Sequence, residues 1–222
     1  VRAKPGTVGK VLPNLEVKIA PDGEVLVRGP SIMKGYYNDE ETTKNTFDGD
    51  WFLTGDLGTI DEDGYLKIIG RKKRILVLST GKNVSPQIVE SSVNESAFVD
   101  QSVLVGDKQK YVIILIHPDF EVLEEWARKK NIRYDSFHEL VKDPQVINKY
   151  DMEVKQHTKK LANFERPKKV VLVGDQWSIE TGELTPKLSV KTAVIEEKYK
   201  DVIKETYGED YLDYSETFEK TV

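Results

Sequence analysis

The run Tyr111-Val112-Ile113-Ile114-Leu115-Ile116-His117 restricts the fold of this chain more than any other stretch. From Val112 to Ile116 it is apolar at both phases of a strand's alternation, so a strand here suits burial on both faces. Residues 102–106 read as a neighbouring strand and residues 168–173 as a third. Residues 119–130, 144–163 and 188–207 read as helices able to cover them. Ser85-Pro86 opens a further helix: serine suits the N-cap, proline suits the first helical position, and Ile88, Val89 and Val93 recur at helical spacing. The later part of the chain is therefore expected to hold a small mixed sheet flanked by helices.

The earlier part has a different texture. Residues 1–71 are dense in glycine and in short alternating segments. Residues 9–19 and Glu24-Val25-Leu26-Val27-Arg28 flank the turn Pro21-Asp22-Gly23. Gly55-Asp56-Leu57-Gly58-Thr59-Ile60 and Tyr65-Leu66-Lys67-Ile68-Ile69 flank Asp61-Glu62-Asp63-Gly64, whose Asp-Gly pair supplies the positive φ of a tight turn. The pattern is a β-meander and predicts a small β-barrel-like subdomain over residues 1–72. Four consecutive cations, Arg71-Lys72-Lys73-Arg74, end it, and residues 73–222 are expected to form a second domain. The fold class read from the sequence is α+β.

Composition removes several functions. Acidic residues number 38 against 33 basic ones, a net charge of −5, which argues against a nucleic-acid partner held by bulk positive charge. With no cysteine there is no disulfide framework, thiolate nucleophile or sulfur-ligated metal, and a cytoplasmic location is the default, with peripheral membrane association left open. No apolar run approaches the roughly 20 residues of a bilayer span, and no basic-then-apolar leader opens the chain. No transmembrane segment is expected. His117, His138 and His157 match no metal-ligand spacing, so no metal site is expected either. No Gly-x-Ser-x-Gly elbow or Walker-type phosphate loop is present.

What remains is loop chemistry. Thr54-Gly55-Asp56 sets a carboxylate beside a glycine that admits close approach, suited to the vicinal hydroxyls of a ribose; taken alone it reads more readily as a plain turn. Arg71 offers a guanidinium fork to phosphate or ribose, or is simply a solvated charge. Gly182-Glu183-Leu184-Thr185-Pro186-Lys187-Leu188-Ser189-Val190-Lys191 presents two lysines on a turn leading into a helix, where one could neutralise developing phosphate charge or both could be merely solvated.

Taken in order, these fragments resemble the adenylate-forming (AMP-dependent) acyl-CoA synthetases, most closely the long-chain fatty acid:CoA ligases. The matching stretches are Gly6-Thr7-Val8-Gly9-Lys10, Gly23-Glu24-Val25-Leu26-Val27-Arg28-Gly29-Pro30, Met33-Lys34-Gly35-Tyr36-Tyr37 and Trp51-Phe52-Leu53-Thr54-Gly55-Asp56-Leu57-Gly58. They continue through Gly64-Tyr65-Leu66-Lys67-Ile68-Ile69-Gly70-Arg71-Lys72-Lys73, Gly81-Lys82-Asn83-Val84-Ser85-Pro86 and Gly182-Glu183-Leu184-Thr185-Pro186. The resemblance implies activation of a long-chain fatty acid with ATP and Mg2+ to acyl-AMP, then transfer to coenzyme A with release of AMP. It implies that Asp56 holds the ribose hydroxyls, that Arg71 meets the nucleotide at its ribose and phosphate side, and that Lys73 is the hinge of a mobile C-terminal lid. It further implies that Ser79-Thr80-Gly81-Lys82 faces the coenzyme A channel in one lid orientation. It implies, too, that Lys191 delivers positive charge to the α-phosphate in the other, aligned through Ser189-Val190-Lys191 in preference to Lys187.

The family's phosphate loop and adenine motif, whose glutamate supports the magnesium, are not found. Val1 enters in mid-pattern without an initiator methionine, so the chain reads as the C-terminal piece of a longer ligase, partnered by the N-terminal domain of the same parent chain and inactive alone. The alternatives are an adenylation domain that loads a carrier protein, and a non-catalytic nucleotide- or partner-binding module.

Overall fold

The computed structural model describes residues 3–213. It divides into two compact units, Val1–Ile75 and Leu76–Val222, within a mixed α+β architecture.

The first unit carries β1 (Gly9–Lys10), β2 (Glu16–Ile19), β3 (Glu24–Arg28), α1 (Glu40–Thr46), β4 (Phe47–Asp48), β5 (Trp51–Ile60) and β6 (Tyr65–Arg71), then a 3-10 turn at Lys72–Arg74. All pairings are antiparallel, in the order β1-β6-β5-β3-β2, with β4 added against β5. The barrel-like expectation is corrected here. Among the described residues the sheet is open, with β1 and β2 at its two ends. Pro13 explains part of the difference: it occupies the second position of the turn closed by Leu15 N–H to Leu12 O at 3.0 Å, so residues 9–19 split into two short strands. Helix α1 escapes a periodicity reading because it buries no residue. Its start rests on Asp39, which accepts the Thr42 N–H at 2.9 Å, with Glu40 and Glu41 in the first turn.

The second unit carries β7 (Leu76–Val77), β8 (Asn83–Val84), α2 (Pro86–Val93), β9 (Val99–Val105), β10 (Ile113–Pro118), α3 (Phe120–Lys129), α4 (Phe137–Leu140), α5 (Pro144–Thr158), β11 (Val170–Leu172), α6 (Thr192–Lys198) and α7 (Lys200–Tyr207). Strand β10 is central, antiparallel to β9 and parallel to β11. It is buried on both faces, as its composition requires. Val112, Ile114 and Ile116 enter a core with Val89 of α2, Leu123 of α3 and Tyr150 of α5. Ile113 and Leu115 enter a second core with Trp177, Leu184, Ile195, Tyr199 and Tyr207. Each fully buried Ile or Leu contributes about 1.5–3 kcal/mol, so this strand fixes where both helical layers sit.

Two expected helices are shorter than the sequence suggests. Helix α5 stops at Thr158, whose hydroxyl bonds back to Val154 O at 2.7 Å, and Arg166 covers the freed carbonyls of Lys159 and Leu161 at 2.7 and 3.0 Å. Residues 188–207 begin as a β-turn and then form two helices separated at Tyr199, whose hydroxyl is held by Asp175 at 2.8 Å and by Trp177 Nε1 at 3.2 Å. Near the end, the Gln109 amide clasps Leu212 through two 2.9 Å bonds. The remainder of the acidic end, residues 214–222, lies outside the described residues. Among those described, no helix is long and apolar enough to cross a membrane.

Candidate functional site

Strand β5 is interrupted at Thr54-Gly55-Asp56. Glu24 of β3 pairs with Leu57 and Leu26 with Leu53, so one residue of β3 faces three of β5 and the triplet bulges out of the ladder. Bulges of this kind re-aim a side chain. Gly55 supplies the required conformation at φ 71°. The triplet is pinned by side chains in place of ladder carbonyls: Thr54 Oγ1 donates to Val25 O at 2.6 Å and accepts the Asp56 N–H at 3.1 Å, and Glu24 Oε1 accepts the Gly55 N–H at 2.9 Å.

The β5–β6 register sets Asp56 opposite Arg71. Arg71 Nε lies 2.9 Å from Asp56 Oδ1, and Nη1 donates to Thr54 O at 3.3 Å. The Asp56 side chain is 27% exposed and that of Arg71 61%. A pair this accessible contributes only about 0–1 kcal/mol to stability, so either contact can be exchanged at little cost. The adjoining cleft, about 530 Å³, is lined by Glu24, Tyr36, Thr54, Gly55, Arg71 and Lys73 among others. Beyond the bulge, Gly58 is a packing requirement. A Cβ there would lie 2.7 Å from Val25 Cγ2 and 2.9 Å from Lys67 O.

Sequence reasoning missed Glu24 and Lys72. Glu24 is 5% exposed, and its Oε2 accepts from Lys72 Nζ at 2.8 Å; Asp22 accepts from the same ammonium at 2.6 Å. Hydrogen bonds to Asp22 and Glu24 hold the Lys72 pKa up at about 12. The available signal was the Asp22-Gly23-Glu24 turn, acidic on both sides of its glycine, in a chain whose longest basic run is Arg71-Lys72-Lys73-Arg74. Lys73 is exposed in the 3-10 turn.

In the second unit, Ser79-Thr80-Gly81-Lys82 forms the connection between β7 and β8. Leu78 and Lys82 close it at 2.9 Å, and Gly81 bonds back to Leu78 O at 2.8 Å with φ 76°. A Cβ at Gly81 would meet nothing within 4 Å, so open space surrounds the loop tip. Lys82 Nζ stands 5.8 Å from the centroid of the Phe164 ring.

The two candidate lysines share one hairpin. Thr185 N–H donates to Ser189 O at 2.9 Å and Leu188 N–H to Thr185 O at 2.8 Å, leaving Pro186-Lys187-Leu188 as a three-residue loop with Leu188 at φ 58°. Lys187 occupies the tip. Lys191 follows the second arm as the N-cap residue of α6, exposed, with its N–H bonded to Glu183 O at 2.8 Å. Among the described residues no hydrogen bond or ion pair engages its ammonium. Behind the hairpin, Glu183 is 2% exposed. Burial pushes its pKa up, but hydrogen bonds from Thr181 and Lys198 outweigh this and hold it at about 2. The Lys198 ammonium lies 2.9 Å from Glu183 and 3.4 Å from Asp175.

The histidines each meet carboxylates: His117 with Asp100 at 3.0 Å, His138 with Asp175 at 2.9 Å, and His157 with Glu153 at 3.6 Å. Among the described residues no group of three or more His, Asp or Glu gathers that could hold a metal ion.

Comparison with known proteins adds identity to this geometry. Residues 73–210 match the family model of the AMP-binding enzyme C-terminal domain. Long-chain-fatty-acid--CoA ligase FadD15 of Mycobacterium tuberculosis is 39% identical over 208 residues, covering 93% of this chain and 35% of that protein. The peroxisomal long chain acyl-CoA synthetase 7 of Arabidopsis thaliana is 35% identical, covering 92% of this chain and 32% of that protein. This chain thus spans about a third of the length of these relatives. Among solved structures, the ATP-bound RpMatB-BxBclM chimera B1 superposes with a TM-score of 0.64 at 29% identity, covering 89% of this chain and 37% of that one. The A domain of carboxylic acid reductase from Segniliparus rugosus, in complex with AMP, gives 0.71 at 21% identity over 87% of this chain and 31% of its own, a likeness of fold. With well over half of its residues matched to that model, the chain belongs to the AMP-binding enzyme C-terminal domain family, and its curated relatives are long-chain-fatty-acid CoA ligases.

Proposed function

We propose that this chain forms the C-terminal third of a long-chain fatty acid:CoA ligase and supplies that enzyme's ribose clamp and mobile cationic lid. In the first half-reaction the fatty acid carboxylate attacks the α-phosphorus of ATP; an acyl–oxygen–phosphorus bond forms and pyrophosphate leaves. In the second, the thiol of coenzyme A attacks the acyl carbon and AMP leaves. Asp56 accepts hydrogen bonds from the ribose hydroxyls. Arg71 directs its guanidinium to the ribose and phosphate side of the nucleotide. Lys191 stabilises charge at the α-phosphate as a positioned cation.

Among the described residues no group of carboxylates gathers that is suited to the reaction's magnesium, which the remainder of the parent enzyme would hold. Lys73 serves as the hinge about which the lid turns between half-reactions, bringing Ser79-Thr80-Gly81-Lys82 to the coenzyme A channel for the second. The open space at Gly81 suits that role. Lacking the phosphate loop and the adenine motif, the chain alone is inactive.

The observation that carries this reading is the bulged, partly exposed Asp56 held against Arg71, which itself lines the adjoining cleft, in a chain 39% identical over 93% of its length to a protein named as a ligase. In the full-length ligase, Asp56→Ala should raise the KM for ATP by on the order of tenfold or more while leaving the KM for fatty acid unchanged. An unchanged KM for ATP would remove Asp56 from the nucleotide site.

A further inference from the structure

Glu24 divides its carboxylate between two segments. One oxygen receives the Gly55 N–H at 2.9 Å in the middle of the β5 bulge; the other receives Lys72 Nζ at 2.8 Å in the 3-10 turn. Lys72 is held a second time by Asp22, and Asp22 accepts the Glu24 N–H at 3.2 Å, so the three residues close a ring. Its neighbours Val25 and Leu26 are 2% and 3% exposed. A carboxylate at this depth is costly unless every oxygen is satisfied, and an apolar side chain in its place would pack at lower cost. The carboxylate does something an apolar residue cannot: it supplies the acceptor that the interrupted ladder denies to Gly55.

We infer that Glu24 is a positioning residue for nucleotide binding, fixing the Gly55 peptide and thereby the direction of the Asp56 carboxylate, with Lys72 as its anchor. Asp56 follows directly on the fixed peptide, and Lys72 is adjacent to Lys73, so one buried carboxylate secures both the sugar-binding loop and the fixed side of the turn. This rests on the assignment of Asp56 to the ribose hydroxyls.

The test uses the full-length ligase and the ratio of kcat/KM for ATP to that for 2′-deoxy-ATP, which reads the hydroxyl contact itself. Asp56→Ala should bring the ratio close to one. Glu24→Gln should lower it on the order of tenfold, because its single acceptor oxygen cannot serve Gly55 and Lys72 together and the peptide loses its anchor, while KM values for fatty acid and coenzyme A stay unchanged. Lys72→Met, at a side chain 47% exposed, should lower the ratio severalfold without disturbing packing, and it decides the matter if Glu24→Gln does not fold. A wild-type ratio in Lys72→Met and in any folded Glu24→Gln, beside a collapsed one in Asp56→Ala, overturns the positioning role and leaves the ribose assignment standing. An equal loss of kcat/KM for all substrates overturns it too, as a purely structural effect. A ratio unaffected by Asp56→Ala instead defeats the ribose assignment.

Discussion

Lys191 hangs from Glu183: its backbone N–H donates to the Glu183 carbonyl at 2.8 Å, while the Glu183 side chain, 2% exposed, is pinned behind the hairpin by Thr181 and Lys198. The exposed lysine thus begins from a fixed backbone, and the fixing is electrostatic. Because the folded pKa of Glu183 is about 2, below its ordinary 4.5, the ionised carboxylate stabilises the fold fully above pH 4.5, and that contribution is lost as pH falls through 2. Glu183→Gln should destabilise the chain at neutral pH by about 1–3 kcal/mol. The gap from wild type, measured by urea unfolding, should hold from pH 7 to about 5 and narrow by about pH 3. A gap that stays constant across this range would mean that the Glu183 charge contributes nothing.

Removing the Lys191 ammonium should separate the two half-reactions. In the full-length ligase, Lys191→Ala should slow pyrophosphate release by about 10²–10³-fold, the scale of losing one preorganised charge-stabilising group. Thioester formation from supplied acyl-adenylate should be unaffected. Lys187→Ala, at the hairpin tip, should change neither step by more than a few-fold. The reverse pattern would transfer the role to Lys187, and equal loss of both half-reactions in Lys191→Ala would count against any adenylation-specific lysine at that position.

Much of this was legible before the structure. The run around Ile114 pointed to a doubly covered strand because Val112 to Ile116 is apolar at both phases of a strand's alternation and too short for a buried helix, and the Asp-Gly and Pro-Asp-Gly turns fixed two hairpins. Less was legible where tertiary contacts override local preference. Residues 188–207 have helical spacing throughout, yet Leu188 is held in a left-handed turn and Tyr199 breaks the helix to reach Asp175. Glu24 was hidden for a similar reason. A glutamate opening a strand reads as solvent-facing, and only the bulge in β5, invisible in one sequence, gives its carboxylate a buried donor to satisfy.

The same three-residue hairpin loop recurs at residues 20–24, 61–65, 78–82 and 185–189. The first three place Gly23, Gly64 and Gly81 at the left-handed position and the last places Leu188 there. A left-handed conformation costs a side-chain-bearing residue about 1–2 kcal/mol, and Leu188 is 60% exposed, so packing does not repay it. Gly81→Ala should therefore destabilise the chain by about 1 kcal/mol through backbone conformation alone, since its Cβ would meet nothing. Leu188→Gly should be neutral or stabilising by up to about 1 kcal/mol. Thermal unfolding of both variants checks the pair: a clear loss of Tm in Leu188→Gly would show that the leucine side chain makes a contact worth more than the strain.

The last prediction concerns the turn at Lys72–Arg74, where Lys72 is anchored by Asp22 and Glu24 while Lys73 is exposed. If the lid turns about Lys73, the moving backbone begins one residue beyond a fixed ammonium, and the φ of residue 73 must take more than one value during the cycle. Lys73→Pro locks that φ near −65° and keeps the Lys72 side chain, although the ring also disfavours helical backbone at Lys72. Measured in the full-length ligase, it should slow one half-reaction by at least about tenfold more than the other, because a single lid orientation serves only one of them. Lys73→Ala, which removes the ammonium and keeps the backbone free, should leave the ratio of the two rates close to wild type. A ratio unchanged in Lys73→Pro would move the pivot away from this residue.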